Sequence, residues 1–120
     1  MPTPHVAGLA AILKQRHPTW DGERLKAAIT ASTVPVQGAT AFDTGTGRVD
    51  AERAIAQTVI SSGSLNLGWF PYPQAELSTT HTPLTYTNLG SAPVTLTLAT
   101  AGADGGEAPA GVSVSPSTLV

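Results

Sequence analysis

The chain has 120 residues, of which 41% are hydrophobic and 12% are charged, and its formal net charge is −2. This composition is compatible with one compact domain and excludes wholesale disorder, while the weak negative charge gives no basis for binding nucleic acid. There is no cysteine, so disulfides and thiolate metal sites are excluded.

The amino-terminal part of the chain has the spacing of apolar residues that is typical of helices. Four apolar residues at positions i, i+3, i+4 and i+7 form one stripe: Val6, Leu9, Ala10 and Leu13. This stripe predicts a first helix that is capped by Thr3, has Pro4 in its first turn and is stopped by Pro18. Because Gly8 lies among alanines, we expect this helix to be pressed closely against its neighbours.

Two further helices are predicted from their capping residues. Asp21 is placed to cap a helix that runs to about Ser32. The buried stripe of this helix consists of Leu25, Ala28 and Ile29. Residues 35–47 are rich in turn formers and predict an irregular segment, after which Asp50 is placed to cap a third, short helix.

The period of the apolar pattern changes to two beyond residue 60, after a predicted linker at residues 61–64. Apolar residues then alternate with threonine or serine, which is typical of strands with one buried face. Strands are predicted at 84–87, 94–98 and 112–119, the last of them broken at Pro116. A turn at 88–90 and a loop of small residues at 101–111 separate them. Three or four strands cannot close a sandwich, so this half is expected to be incomplete.

The three histidines are weak candidates for catalysis. His5 lies close to the start of the first helix, where a polar contact at the helix end or a catalytic role is open. His17 lies in a last helical turn, where it is expected to interact with the carbonyl ends. His81 lies among threonines and is expected to be solvated. Their spacing is unlike that of a helical zinc motif, so no metal site is expected.

Two other groups of residues allow more than one interpretation. Asp43 lies in a turn-rich segment and could either stabilise a turn or bind a cation together with neighbouring carbonyls. Trp69, Phe70 and Tyr72 form an aromatic cluster, which either packs between domains or contacts a carbohydrate or a protein. Neither group supplies a complete catalytic constellation.

Several segments of the first half resemble the end of the peptidase domain of subtilisin-like serine proteases. The run MPTPHVAGLAA at residues 1–11 is similar to the stretch that follows the nucleophilic serine of that family. Residues 14–20 and 25–29 are similar to the next turn and helix. The run GTGRVDA at residues 45–51 is similar to the Gly-x-Gly-x-Val-x-Ala stretch that closes the domain. The resemblance covers about residues 1–58, in the family's order.

The resemblance implies that the catalytic residues precede this chain. The nucleophilic serine would immediately precede Met1, and the aspartate and histidine of the triad and the oxyanion-hole asparagine would lie further upstream. His5 then corresponds to the helix histidine beyond the nucleophile and not to the base. No catalytic, cofactor-binding or metal-binding residue is therefore assigned to residues 1–120, and the chain is expected to be inactive by itself.

The second half resembles the fibronectin-III-like β-sandwich of larger secreted subtilases, through PLTYTNLG at 83–90 and GVSVSP at 111–116. The resemblance thus implies a mixed fold in two parts. Residues 1–60 are a helical, carboxy-terminal piece of a subtilase α/β catalytic domain, and residues 61–120 are an incomplete all-β sandwich. It also implies a secreted parent protein that cleaves proteins or peptides without a cofactor.

Two alternatives to a protease fragment stay open: a non-catalytic β-sandwich module for binding or structure, and a degenerate remnant. No apolar run approaches the roughly 20 residues of a membrane-spanning helix, and the first residues lack the features of a signal peptide. We therefore expect no membrane partner. The chain should need the missing part of the catalytic domain to fold properly, and alone it should be marginally stable or aggregate.

Overall fold

A computed structural model describes residues 2–72 and 78–120, so Met1 lies outside the described residues. Four helices come first: α1 (Thr3–Arg16), α2 (Gly22–Ala31), α3 (Ala41–Thr44) and α4 (Ala51–Ala56). Four short strands follow: β1 (Val59–Ser61), β2 (Tyr86–Asn88), β3 (Leu96–Thr97) and β4 (Thr118–Leu119). β1 pairs with β2 and β3 pairs with β4, both antiparallel. This order confirms a mixed fold, in which helices precede strands.

The helix starts follow local capping chemistry. The carboxylates of Asp21 and Asp50 accept hydrogen bonds from main-chain N–H groups three residues along, at 2.8 and 3.0 Å, which confirms both predicted caps. The predicted cap at Thr3 is wrong by one position, because Pro2 has a helical conformation and its carbonyl accepts from Val6 N at 3.1 Å. Proline suits this position, since its ring fixes φ near the helical value.

The core lies between α1, α2, α4 and β1. Its buried residues are Leu9, Leu13, Trp20, Ala28, Ile29, Ala54 and Ile60. The predicted stripe of α1 is buried at Leu9 and Leu13, while Val6 and Ala10 are half-buried at its edge. Gln57 ties two helices together, because its Nε2 donates to the carbonyl of Ala28 at 2.8 Å and to that of Ala54 at 3.1 Å.

The segment predicted as irregular, residues 35–47, contains one regular feature and is flanked by a second. One is α3, which is a single turn and therefore too short to produce a periodic apolar pattern. The other is an antiparallel bridge in which Val34 and Arg48 exchange main-chain hydrogen bonds of 2.9 and 2.8 Å. The bridge holds the end of α2 close to the start of α4.

The strands are shorter than the alternating pattern predicts. Ser61 belongs to β1, and the next residue, Ser62, donates its N–H to Thr85 O at 2.8 Å, so the predicted linker is partly bound to the sheet. Residues 112–114 form no strand; Val112 N instead donates to Pro109 O at 3.1 Å, as in a turn. Residues 61–120 therefore contribute to two separate two-stranded sheets in the described structure.

Candidate functional site

The amino-terminal end of α1 is the part of the molecule to which the sequence patterns point. Its first turn contains His5 and no acidic residue, while its last turn contains Lys14 and Arg16. The helix dipole gives the amino-terminal end of α1 a partial positive charge. No acidic residue in the first turn of α1 neutralises it. His5 is exposed in this first turn.

The opposite end of α1 is anchored by Lys14. Its Nζ donates to the carbonyl of Pro18 at 2.9 Å and to that of Trp20 at 2.6 Å. The His17 ring stacks on the Trp20 ring, with centroids 3.9 Å apart and planes inclined by 7°. His17 was expected to interact with carbonyl ends; its main-chain N–H does so at Leu13, while its ring packs on Trp20. Together these contacts hold the carboxy-terminal end of α1 against the turn that contains Pro18 and Trp20.

Two faces of α1 have opposite surroundings. Leu9 and Leu13 are buried against α2 and α4, whereas a Cβ at Gly8 would meet no described atom within 4 Å apart from its chain neighbours and the backbone of α1 itself. Ala7 and Ala11 are exposed beside it, and Ile12 is 44% exposed. The close packing predicted at Gly8 is thus not provided by the described residues. This face is apolar and uncovered.

The remaining polar candidates lie apart from α1's amino-terminal end or have structural partners. Ser32 is buried at the end of α2, and its hydroxyl donates to Ile29 O at 3.0 Å. His81 is exposed in an irregular segment. Within residues 2–72 and 78–120, no group of three His, Cys, Asp or Glu side chains could hold a metal ion. This observation does not test the prediction that the chain contains no site residue, which stays a prediction.

Asp43 has the predicted turn role in this structure. Its Oδ2 accepts from Thr40 N at 2.9 Å and from Thr40 Oγ1 at 2.8 Å, which stabilises the start of α3. These two hydrogen bonds hold the pKa of the Asp43 carboxyl below its ordinary value. The turn is also tied to the second half, because Ala41 N donates to Ala103 O at 2.8 Å.

The aromatic cluster lies on the surface. Trp69 is 84% exposed and Tyr72 is 91% exposed, while Phe70 is partly covered. The chain around them is irregular, with Gly68 N donating to the Asn66 side chain at 2.9 Å. The described residues therefore leave both interpretations of this cluster open. No helix in the described parts of the chain is long and apolar enough to cross a membrane.

Three curated relatives show what the chain is similar to. Subtilisin-like protease SBT2.6 of Arabidopsis thaliana is 37% identical, over 46% of this chain and 9% of its own length. Subtilisin-like protease SBT3 of Solanum lycopersicum is 34% identical, over 46% of this chain and 9% of its own length. Alkaline elastase YaB of Bacillus sp. (strain YaB) is 39% identical, over 45% of this chain and 14% of its own length. The chain thus matches only a small share of each relative. No solved structure matches the chain.

The model of the subtilase family matches residues 1–89, which include all four helices and the pair formed by β1 and β2. The matched region also contains the two caps, the Val34–Arg48 bridge and the buried core. The chain therefore belongs to the subtilase family.

Proposed function

We propose that residues 1–60 form the part of a subtilisin-like serine peptidase domain that lies directly behind the nucleophile. The catalytic serine would immediately precede Met1, and the triad aspartate and histidine would lie further upstream. The observation that supports this most strongly is the match of residues 1–89 to the subtilase family. The substrates of the whole protein would then be proteins or peptides, and this chain would contribute no catalytic side chain.

The proposed role of α1 is to hold the nucleophile in place. A nucleophile attached to its amino-terminal end would be fixed by the anchor at Lys14 and by the buried Leu9 and Leu13. Accurate placement matters, because errors of about 1 Å in a reacting group lower rates strongly. The absence of acidic residues from the first turn of α1 also favours a developing negative charge close to it.

The uncovered face of α1 supports the same proposal. Ala7, Gly8 and Ala11 are small enough to let another layer of structure approach the helix closely, and Ile12 would be buried by it. We propose that the rest of the peptidase domain covers this face. Residues 61–120 would then start a fibronectin-III-like sandwich in a secreted parent protein, a proposal that rests on their sequence resemblance.

A non-catalytic binding module is the second candidate, and it is favoured by one observation. Trp69 and Tyr72 are large aromatic side chains that are almost fully exposed. Exposed large aromatic side chains are enriched at recognition surfaces. In this alternative the second half would bind a carbohydrate or protein independently of any peptidase chemistry.

The proposal is tested by treating the purified chain with casein and with a fluorophosphonate that labels activated serines. We expect neither cleavage nor labelling, because every serine of the chain lacks the upstream triad partners. An intact subtilase treated in parallel serves as the positive control. Labelling of any serine in residues 1–120, with cleavage that the fluorophosphonate blocks, would show that the proposed division of labour is wrong.

A further inference from the structure

Two aspartates of the chain are followed directly by glycine, Asp21 and Asp104. In such a pair the main-chain nitrogen of the glycine can attack the side-chain carboxyl of the aspartate, because glycine has no Cβ to crowd the attacking atom. The product is a succinimide ring, which water opens to give either aspartate or isoaspartate. Ring closure requires the aspartate main chain to rotate and its carboxyl to reach the next nitrogen. The surroundings of the two pairs therefore decide which of them reacts.

The pair at Asp21 is held by the start of α2. Asp21 Oδ1 accepts a hydrogen bond from Arg24 N at 2.8 Å, and the Asp21 carbonyl accepts one from Leu25 N at 3.1 Å. Gly22 is the first residue of the helix, which packs in the core through its buried face. Rotation of the Asp21 main chain would open both the cap and the first helical turn. This pair is therefore protected.

The pair at Asp104 lies in an exposed loop outside the helices and strands of the described chain. Gly105 has a φ of 79°, in the region that favours glycine. Two main-chain hydrogen bonds cross the loop, from Gly105 N to Gly102 O at 2.9 Å and from Gly102 N to Gly106 O at 3.1 Å. Opening these bonds disturbs no helix and uncovers no residue of the core, so it costs less than opening the start of α2.

The carboxyl of Asp104 is already folded back onto the main chain. Its Oδ1 accepts from Gly106 N at 2.9 Å, so the side chain lies along the peptide that joins Asp104 to Gly105. A Cβ at Gly102 would be 2.8 Å from the same oxygen, and a Cβ at Gly106 would be 3.1 Å from it. The carboxyl is thus packed on glycine main chain, which a larger residue would push away. This arrangement holds the carbon that is attacked close to Gly105 N.

We propose that Asp104 is the site at which this chain forms isoaspartate spontaneously. Gly105 N forms a bond to Asp104 Cγ and the bond from Cγ to its hydroxyl oxygen breaks, so that the amide proton and the hydroxyl leave as water. Water then adds to one of the two ring carbonyls. Addition at Cγ restores aspartate, whereas addition at the main-chain carbonyl leaves the chain running through Cβ and frees an α-carboxylate. Water is the only co-reactant, and the inference stands independently of the proposed peptidase role.

The modification would fall beside a contact between the two halves of the chain. The carbonyl of Ala103 accepts from Ala41 N at 2.8 Å, at the start of α3. Isoaspartate at residue 104 adds one carbon to the main chain directly after Ala103. We therefore expect the modified chain to lose the hydrogen bond between Ala103 and Ala41.

The test is a long incubation of the folded chain at mildly acidic pH in water labelled with heavy oxygen, followed by peptide mapping with mass spectrometry. Each cycle of ring closure and opening incorporates one heavy oxygen, and electron-transfer fragmentation distinguishes isoaspartate from aspartate. We expect the product at Asp104 to exceed that at Asp21 by about fivefold or more, because the helix cap must open at Asp21. In the same chain unfolded in urea, the two pairs should react at similar rates.

A variant and a structural measurement complete the test. Gly105→Ala should remove most of the product at Asp104 and leave the product at Asp21 unchanged, because the added Cβ crowds the attacking nitrogen. In the isoaspartate form, separated by chromatography, the NMR signal of the Ala41 amide should shift. The proposal is overturned by equal or greater product at Asp21 in the folded chain, or by the same ratio of products in the folded and unfolded chains. An unshifted Ala41 amide would contradict the expected loss of the contact with α3.

Discussion

At Gly47 the main chain of two segments comes unusually close. Its φ of 121° lies in the region that favours glycine, and a Cβ at this position would collide with the carbonyl of Val34. The neighbouring Arg48 forms the bridge to Val34. A side chain at residue 47 would therefore have to break the bridge or force the main chain into a strained conformation.

Gly47→Ala should consequently lower the free energy of unfolding by about 1–3 kcal/mol, because it adds both strain and a collision. Urea denaturation followed by far-UV circular dichroism measures this. Gly22→Ala is the matched control, since a Cβ at Gly22 meets no heavy atom within 4 Å and α2 begins there. Equal effects of the two substitutions would contradict this description of residue 47.

Asp43 provides a prediction that depends on pH. Its folded-state pKa is lowered by the two hydrogen bonds from Thr40, so its stabilising contribution is complete above the unfolded-state pKa and is lost as the pH falls towards the folded-state pKa. An NMR titration should give a carboxyl midpoint below that of ordinary aspartate, and the Thr40 amide should shift with the same midpoint. Asp43→Asn should abolish the shift of that amide. A midpoint at or above the ordinary value would show that the hydrogen bonds do not form.

Residue-scale features differ in how far the sequence predicts them. The caps at Asp21 and Asp50 were predictable because donor and acceptor are only three residues apart. The requirement for glycine at residue 47 was not, because the colliding atom belongs to Val34, thirteen positions earlier in the chain. Local chemistry is visible in the sequence, whereas close approach of distant segments needs the fold.

Among the elements, α1 has the greatest bearing on the proposed function. It packs through Leu9 and Leu13 on one face and is anchored at its carboxy-terminal end by Lys14. The two carbonyls that Lys14 binds belong to the turn that leads into α2. This contact therefore sets how α1 and α2 are oriented, beyond what their apolar stripes alone provide.

Lys14→Met keeps the unbranched stem and removes the ammonium, so it should destabilise the chain by about 1–2 kcal/mol through loss of these hydrogen bonds. Arg16→Met is the control in the same helical turn and should change stability by less than about 0.5 kcal/mol. Thermal or urea unfolding of the two variants gives the comparison. If Arg16→Met were as destabilising as Lys14→Met, the anchor would have no special role.

The sequence predicts elements in proportion to their length. α1 and α2 were predicted within one or two residues at each end, because each is long enough to show a helical period. α3 was missed as a single turn, and the strands were predicted longer than the two or three residues they have. Alternation predicts which residues favour a strand, while the actual pairing depends on a partner strand far along the chain.

At the scale of the whole molecule, the chain is less compact than a single domain of its length. Its Cα radius of gyration is 16.4 Å, against roughly 14 Å for a compact domain of this size. The helical half and the first sheet nevertheless share a core, because Ile60 of β1 is 3% exposed among the buried residues of α1, α2 and α4. The boundary predicted at residue 60 stays a prediction, and β1 lies directly on it.

Ile60→Ala should therefore destabilise the helical half as well as β1, by about 2–4 kcal/mol, because it leaves a cavity in the shared core. Leu67→Ala is the control, since the Leu67 side chain is half-exposed and outside this core. Amide hydrogen exchange should show faster exchange in α2 for the first variant alone. Faster exchange confined to β1 and β2 would indicate two independent units.

The candidate site was predictable only as a position in a family pattern. The segment GTGRVDA and the helix that starts at Thr3 predict a position within a subtilase domain, and this position stays a proposal beside the family match of residues 1–89. The aromatic cluster and the sandwich resemblance stay open, because both depend on surfaces and strands that the described residues do not supply. The sequence predicted close packing around Gly8 of α1, and the structure shows that the described residues leave this face uncovered.

The assignment of residues 2–58 to the region behind a subtilase nucleophile is best examined in a chimeric enzyme. These residues would replace the matching segment of alkaline elastase YaB, which is 39% identical over 45% of this chain. We expect the chimera to be labelled by a fluorophosphonate and to cleave casein, and we expect the same chimera with Leu13→Asp to lose both properties. A chimera that folds, as judged by circular dichroism, yet is neither labelled nor active would contradict the assignment.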